Sequence, residues 1–346
     1  MKAAQYYGNR DIRVDEVAEP SPDAGEVLIE VAACGICGSD LGEYLHGPRY
    51  DDDDYLPYIM GHEVGGTVVE VGDDVDIEIG TEIVLNPLVA CEECSCCEES
   101  KYNLCRDLQV IGAQRPGAYA ERVTAPASNV VPLPDGVSPQ AAAVSEPVTV
   151  AFHAVMQSPL RDGHSVAVIG LGPIGLGLVQ LVKAAGAGPI FASGHREARR
   201  ELAAECGADV VIDPRETDPI EQIRSKTDGG VDVAFEMAGR ESALNDAINA
   251  TKPGGHTTLV GVFEDDVEID PMDLVNNERS VNASAAYRTG PHADRDFSAV
   301  LEKFATGEID HEPLVTSRIG LEDIVDDGFE ALANADSGEV KVLVQP

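Results

Sequence analysis

At 346 residues the chain exceeds the size at which a single apolar core stops growing, so two domains are the default. Its 62 acidic residues against 24 Lys and Arg give a net charge of −38, which repels phosphate backbones and anionic lipid and excludes nucleic acid and membrane surfaces as partners. Hydrophobic residues make up 43% of the chain, enough for a globular core, and no apolar run is long enough to span a bilayer.

The segment Met1–Tyr7 lacks the apolar stretch of a secretion signal, so a cytoplasmic protein is expected. Strand composition follows at Ile12–Val17 and Val27–Ala33, punctuated by Pro20, Pro22 and Gly25. Further strands are predicted at Val64–Val71, Glu82–Leu85 and Gly117–Val123. Many short strands with Gly and Pro turns point to a compact, barrel-like β domain. The acidic run Asp51–Asp54, inside Arg49–Tyr55, reads as a solvated loop. Ala141–Met156 reads as one helix, with Glu146 near its start, Pro147 in its first turn and His153 packed on its apolar side.

The pattern changes near Gly163. An apolar strand at Ser165–Ile169 runs into Gly170, Gly172, Pro173, Ile174 and Gly175, a G-x-G-x-x-G fingerprint, followed by a helix over Leu176–Ala185 and a strand over Pro189–Ser193. Strands at Val210–Ile212, Val231–Ala238 and Thr257–Val262 continue the alternation, which defines a doubly wound α/β domain. Such a fingerprint lets a pyrophosphate approach a helix N-terminus. After the second strand, where an acid normally receives the adenine ribose, stands Gly194, followed by His195, Arg196, Arg199 and Arg200. Gly194 is expected to leave room there, and the arginines to attract a 2′-phosphate, so NADP is the expected cofactor with NAD as the second option. A helix at Phe297–Ala305 and a strand at Val340–Val344 are expected to return to the first domain. The expected domains are 1–150, 151–288 and the returning segment 289–346.

Eight cysteines at 34, 37, 91, 94, 96, 97, 105 and 206 are clustered rather than spread, which favours metal binding over disulfides. Cys91, Cys94, Cys97 and Cys105 form a C-x2-C-x2-C-x7-C pattern suited to a closed, structural zinc, with Cys97 preferred over Cys96 on spacing. A second set is drawn from three segments: Cys37 in Cys-Gly-Ser-Asp, His62 in Gly-His-Glu, and Glu146 in Ser-Glu-Pro. One sulfur, one imidazole and one carboxylate suit a catalytic zinc with an open position. Glu63 is an alternative ligand or a carboxylate supporting the ligands. Lysine occurs only at 2, 101, 183, 226, 252, 303 and 341, a composition suited to a salt-loaded cytosol. At about 1 M salt the Debye length is about 3 Å and surface repulsion is screened.

These motifs together resemble the zinc-containing medium-chain alcohol dehydrogenases over nearly the whole chain. The resemblance implies a GroES-like β-barrel catalytic domain, a Rossmann coenzyme domain, two zinc ions per chain and a homo-oligomer, tetramer or dimer. Glu146 stands where one branch has a second cysteine, which is similar to the polyol, threonine and butanediol branch, and Glu43-Tyr44-Leu45-His46-Gly47-Pro48 looks most like 2,3-butanediol dehydrogenases. The implied reaction is hydride transfer between a secondary alcohol, diol or polyol and the nicotinamide, with Ser39 taking the hydroxyl proton and Glu63 assisting. Sorbitol, threonine and simple secondary alcohols are the alternative substrates. Gly42 replaces a relay histidine found in relatives, and His46 could substitute only if its loop folds back. A nucleic-acid-binding zinc protein, a non-catalytic cofactor binder and a zinc-free quinone reductase are the competing readings. The first is opposed by charge and the last by the Cys37, His62 and Glu146 set.

Overall fold

The computed structural model describes residues 1–48 and 56–346; the acidic run Asp51–Asp54 lies outside them. The chain divides into two compact units, one of Met1–Glu146, Tyr287–Gly307 and Val315–Pro346, the other of Pro147–Ala286 and Glu308–Leu314. The returning segment is thus not continuous, because 308–314 belongs with the second unit.

In the first unit the strands are β1 (Lys2–Gly8), β2 (Asp11–Glu16), β3 (Glu26–Gly35), β4 (Tyr58–Ile59), β5 (Glu63–Val71), β6 (Glu82–Leu85), β7 (Leu88–Val89), β8 (Gln109–Val110), β9 (Arg122–Pro126), β10 (Val130–Pro132), and, late in the chain, β17 (Val315–Gly320) and β18 (Lys341–Gln345). The largest sheet runs β10-β6-β5-β3-β18-β17, with β9 also on β3. β5 pairs antiparallel with β3, setting Glu63 opposite Gly35, and β18 pairs antiparallel on the other side of β3, setting Leu343 opposite Gly35. Three segments far apart in sequence therefore end side by side. Inward residues of this sheet, among them Val27, Ile29, Val31, Val64 and Val68, form a core with Tyr6, Tyr44, Tyr119 and Phe329.

Two expectations fail here. Gly117–Val123 is not a continuous strand: β9 begins only at Arg122, because Gly117, Ala118 and Tyr119 give their N–H groups to the carbonyls of Ile59, Gly61 and Met60. The predicted single helix at 141–156 is two, α3 (Pro139–Ala143) and α4 (Ser145–Gln157). Pro147 has no N–H to donate to residue 143, and the Ser145 hydroxyl donates instead to the Ala142 carbonyl at 2.6 Å. Two further helices in this unit, α1 (Gly38–His46) and α2 (Ser95–Glu98), precede these and carry site residues.

The second unit carries a six-stranded parallel sheet in the order β13-β12-β11-β14-β15-β16, formed by β11 (Val166–Ile169), β12 (Ile190–Ser193), β13 (Val210–Ile212), β14 (Val231–Glu236), β15 (Thr251–Leu259) and β16 (Ser280–Ala283). Helices α5 (Pro173–Ala184), α6 (Glu197–Glu205), α7 (Pro219–Lys226), α8 (Glu241–Ala250) and α9 (Pro271–Asn277) connect them, and α10 (Ala293–Thr306) belongs to the first unit. β11 is buried along its whole length, as expected of a parallel strand covered on both faces. The chain order reverses between β11 and β14, which opens the crevice where this architecture binds dinucleotides.

Candidate active site and metal centres

Cys37 directly precedes α1, and Asp40 in the first turn of that helix accepts a hydrogen bond from the Cys37 N–H at 3.2 Å. His62 directly precedes β5; Gly61 before it has φ +96°, a left-handed conformation that makes the turn and favours glycine. The Sγ of Cys37, a ring nitrogen of His62 and a carboxylate oxygen of Glu63 lie within 4.8 Å of one another. His62 Nδ1 faces Asp40 Oδ1 at 3.4 Å, and the Tyr119 hydroxyl donates to Asp40 Oδ2 at 2.5 Å. Asp40 thereby fixes the ring and leaves Nε2 for a metal. Burial disfavours a charged His62, but Asp40 and then Cys37 outweigh it and hold the imidazole well above the usual histidine value. Burial likewise opposes a charged Asp40, yet His62, Tyr119 and the Cys37 N–H keep it below the usual carboxylate value.

Glu63 is fully buried and its Oε1 meets the Lys341 ammonium at 2.6 Å; Lys341, also buried, donates a second bond to the Ile36 carbonyl at 2.8 Å. The strand register explains the pairing. Glu63 lies opposite Gly35, where a Cβ would come within 2.0 Å of Glu63 Oε2, so only a residue without a side chain lets the carboxylate cross β3 toward β18. Oε2 itself is buried with no hydrogen-bond partner among the described residues. Asp40, Glu63, Glu146 and Cys37 set several acidic groups against one lysine. That donor set and the orphaned oxygen fit a divalent cation, and a thiolate, an imidazole and a carboxylate are zinc donors.

The grouping differs from the expected ligand set. Glu63 joins Cys37 and His62, whereas Glu146 lies outside the group, its Oε1 accepting from the Tyr287 hydroxyl at 2.6 Å. Burial, countered in part by His62, raises Glu146 to about 7. Ser39 is half-buried in the first turn of α1, and His46 is exposed at that helix's last turn. His153 is buried, with its Nε2 3.3 Å from Gln157 Nε2. Sequence reasoning assigned no role to Asp40 and did not find Tyr119, Lys341 or Tyr287. Only for Asp40 was there a local signal, its place three residues after Cys37.

The sulfurs of Cys91, Cys94, Cys97 and Cys105 also lie within 4.8 Å of one another, with Cys91–Cys105 at 3.4 Å, Cys94–Cys97 at 3.6 Å and Cys94–Cys105 at 3.9 Å. Tetrahedral zinc with bonds of about 2.3 Å needs sulfur–sulfur edges of about 3.8 Å, so the four sulfurs fit the ion. The short helix α2 buries Cys97 and leaves Cys96 outside the group. Backbone N–H groups of Arg106 and Cys97 bring Cys94 down to about 6, which favours the thiolate. A Cys94→Ser variant is expected to lose the lobe zinc and to lower the melting temperature, while molecules that remain folded keep the wild-type response to substrate. Unchanged zinc content and melting temperature would remove the structural role.

In the second unit Gly172 caps α5 and Pro173 takes its first position. A Cβ on Gly175 would come within 2.0 Å of the Gly170 carbonyl, so the turn closes only with glycine there. Gly194 follows β12, but it leaves no room: a Cβ would meet Leu171 Cδ1 and Cγ at 2.9 Å. The expectation of open space at Gly194 is therefore corrected, and an aspartate there requires the Leu171 side chain to shift. Arg200 is also committed elsewhere. Its guanidinium pairs with Asp213 at 2.9 Å and donates to the carbonyls of Gly194 and His195 at 3.0 and 2.7 Å, so it braces the loop. Arg196 and Arg199 stand at the N-terminus of α6, where the helix dipole opposes cations. Burial, then Arg196, pushes Arg199 down to about 10. His195 is exposed beside them.

Residues 23–135 match the alcohol dehydrogenase GroES-like domain and residues 173–306 the zinc-binding dehydrogenase domain. The chain is 39% identical to (R,R)-butanediol dehydrogenase of Bacillus subtilis (strain 168), with all of both chains covered. The chain belongs to the zinc-containing medium-chain alcohol dehydrogenases. It is 35% identical to L-threonine 3-dehydrogenase of Pyrococcus abyssi (strain GE5 / Orsay), covering all of this chain and 98% of the other. A zinc-binding dehydrogenase of Sinorhizobium meliloti 1021, solved bound to NADP, is 34% identical with a TM-score of 0.90, covering 100% of this chain and 99% of that one. The dehydrogenase thus carries the GroES-like and Rossmann architecture and is a zinc-dependent oxidoreductase acting on alcohols. Among the described residues no helix is long and apolar enough to cross a membrane.

Proposed function

We propose that this dehydrogenase interconverts a secondary alcohol or vicinal diol with its ketone, with 2,3-butanediol and acetoin the favoured pair. The observation that carries the reading is the Cys37, His62 and Glu63 cluster, with Asp40 fixing the imidazole, in a chain 39% identical to a butanediol dehydrogenase. Sorbitol, threonine and simple secondary alcohols are the alternatives. Cys37, His62 and Glu63 would hold the catalytic zinc, with Glu146 beside it, and Cys91, Cys94, Cys97 and Cys105 the structural one. Zinc held there would supply the positive charge that acidifies an alcohol, and a bound nicotinamide would be the hydride acceptor. Ser39, two residues after Cys37, receives the hydroxyl proton. Gly42 offers no further relay, so the proton leaves through the cofactor ribose or solvent. A panel of 2,3-butanediol, acetoin, sorbitol, threonine and 2-propanol, with both cofactors in molar KCl, tests the assignment. The highest kcat/KM is expected for butanediol, and a clear preference for threonine or sorbitol would overturn it.

The glycine fingerprint (Gly170, Gly172, Pro173, Ile174, Gly175) and the turn of Gly194, His195, Arg196 and Arg199, braced by Arg200, are proposed to bind NADP in preference to NAD. Two guanidiniums at a helix N-terminus, against the dipole, are accounted for by an anion between them. A charge-assisted pair contributes about 1.5–3 kcal/mol, about ten- to more than hundredfold in affinity, and molar salt favours the lower end. Arg196→Ala is expected to cut kcat/KM for NADP about tenfold and leave that for NAD unchanged. A wild-type enzyme that uses NAD at least as well as NADP would sink the proposal.

The net charge of −38 supports an enzyme of a salt-loaded cytoplasm. Melting temperature and activity are expected to rise from dilute buffer to molar KCl; a flat or falling profile would contradict this. A homo-oligomer, tetramer or dimer, is supported by the exposed apolar residues Val262, Ile269, Met272, Val275 and Val281, the last on edge strand β16.

A further inference from the structure

Tyr287 is 1% exposed and gives its hydroxyl to Glu146 Oε1 at 2.6 Å. Its ring stacks edge-on against Phe297, with centroids 4.9 Å apart and planes at 73°. The chain after it is anchored by three hydrogen bonds. The Arg288 N–H donates to Asp296 at 3.1 Å, and the Arg288 carbonyl accepts from the Asn86 amide at 2.9 Å. The Thr289 hydroxyl donates to the Leu88 carbonyl. The phenol is therefore held by its ring and its backbone, and it points at one of the two buried carboxylates near Cys37 and His62. The other carboxylate, Glu63, stands within 4.8 Å of those two ligands, while Glu146 does not join them.

A tetrahedral zinc with four protein ligands is closed, and a catalytic zinc keeps one position free. Cys37, His62 and Glu63 already supply three, so Glu146 would be the fourth and would exclude the substrate oxygen. We infer that Tyr287 is a positioning residue that holds Glu146 out of the metal's coordination, keeping the fourth position open. The inference rests on the proposed reading of Cys37, His62 and Glu63 as the catalytic zinc site.

The test is the rate at which a chromophoric chelator removes the non-lobe zinc from the full-length enzyme, read beside kcat and KM for 2,3-butanediol. Tyr287→Phe keeps the ring on Phe297 and removes only the hydroxyl. It is expected to slow release of that zinc about 10–100-fold, the range by which groups behind metal ligands tune affinity, and to raise KM. With cobalt in place of zinc, the same variant should shift the visible absorption. Adding Glu146→Gln to Tyr287→Phe should return zinc release to the wild-type rate. Unchanged release and an unchanged cobalt spectrum in Tyr287→Phe would overturn the inference, as would slow release that Glu146→Gln does not reverse. A wild-type protein holding only the lobe zinc would overturn the site reading itself and the inference with it.

Discussion

Replacing His62 with Ala should lower kcat/KM by at least about a thousandfold, or about 4 kcal/mol at 1.36 kcal/mol per tenfold. The magnitude follows from what the imidazole does. It is one of three groups gathered within 4.8 Å, and the charge of the metal they would hold supplies several kcal/mol of stabilisation to a developing alkoxide. The fold should survive. Asp40 loses the imidazole but keeps its bonds from the Tyr119 hydroxyl and the Cys37 N–H, so the cost lies near about 1–3 kcal/mol. The cysteine lobe is untouched. Steady-state kinetics at molar KCl beside a thermal melt separates the two effects. Turnover within tenfold of wild type would mean that His62 holds no catalytic metal.

Lys341→Met should be the most destabilising single change at the site. The ammonium and the Glu63 carboxylate are both buried and meet at 2.6 Å. With the Cys37, His62 and Glu63 site kept metal-free, removing one partner of such a pair leaves an uncompensated charge, at a cost of about 3–5 kcal/mol. For the lower figure the melting temperature should fall by about 6–12 °C, given about 2–4 °C per kcal/mol for domains of this size. Because the pair is inaccessible, molar salt should not rescue it, in contrast to the surface charge. Adding Glu63→Gln should recover much of the loss, since a neutral pair removes the stranded charge. A single variant that melts with wild type would show that Glu63 finds its counter-charge elsewhere.

The difference between what could be read from the sequence and what could not is physical. Metal-binding cysteines announce themselves because their spacing is local: Cys91, Cys94 and Cys97 are separated by two residues each, and the sulfurs do converge. The Gly170–Gly175 fingerprint is equally local, a turn between β11 and α5. Lys341 is not legible, because its partner Glu63 lies 278 residues away and meets it only through the pairing of β3 with β5 and β18. Tyr287 and Glu146 are likewise 141 residues apart. The sequence motifs point to Glu146 as the carboxylate beside Cys37 and His62. In the folded chain Glu63 follows His62 into β5 and reaches the cluster, while Tyr287 takes Glu146 aside. Gly194 misled for a related reason. A glycine after a strand reads as open space, but Leu171 from the neighbouring turn fills it.

The central claim is that this chain holds two zinc ions, one in the cysteine lobe and one at Cys37, His62 and Glu63. Elemental analysis of purified full-length protein tests it most directly. The expected content is about two zinc per chain for wild type and about one for His62→Ala. About one zinc per chain in both, lost from both on Cys94→Ser, would leave the metal in the lobe alone and contradict the account.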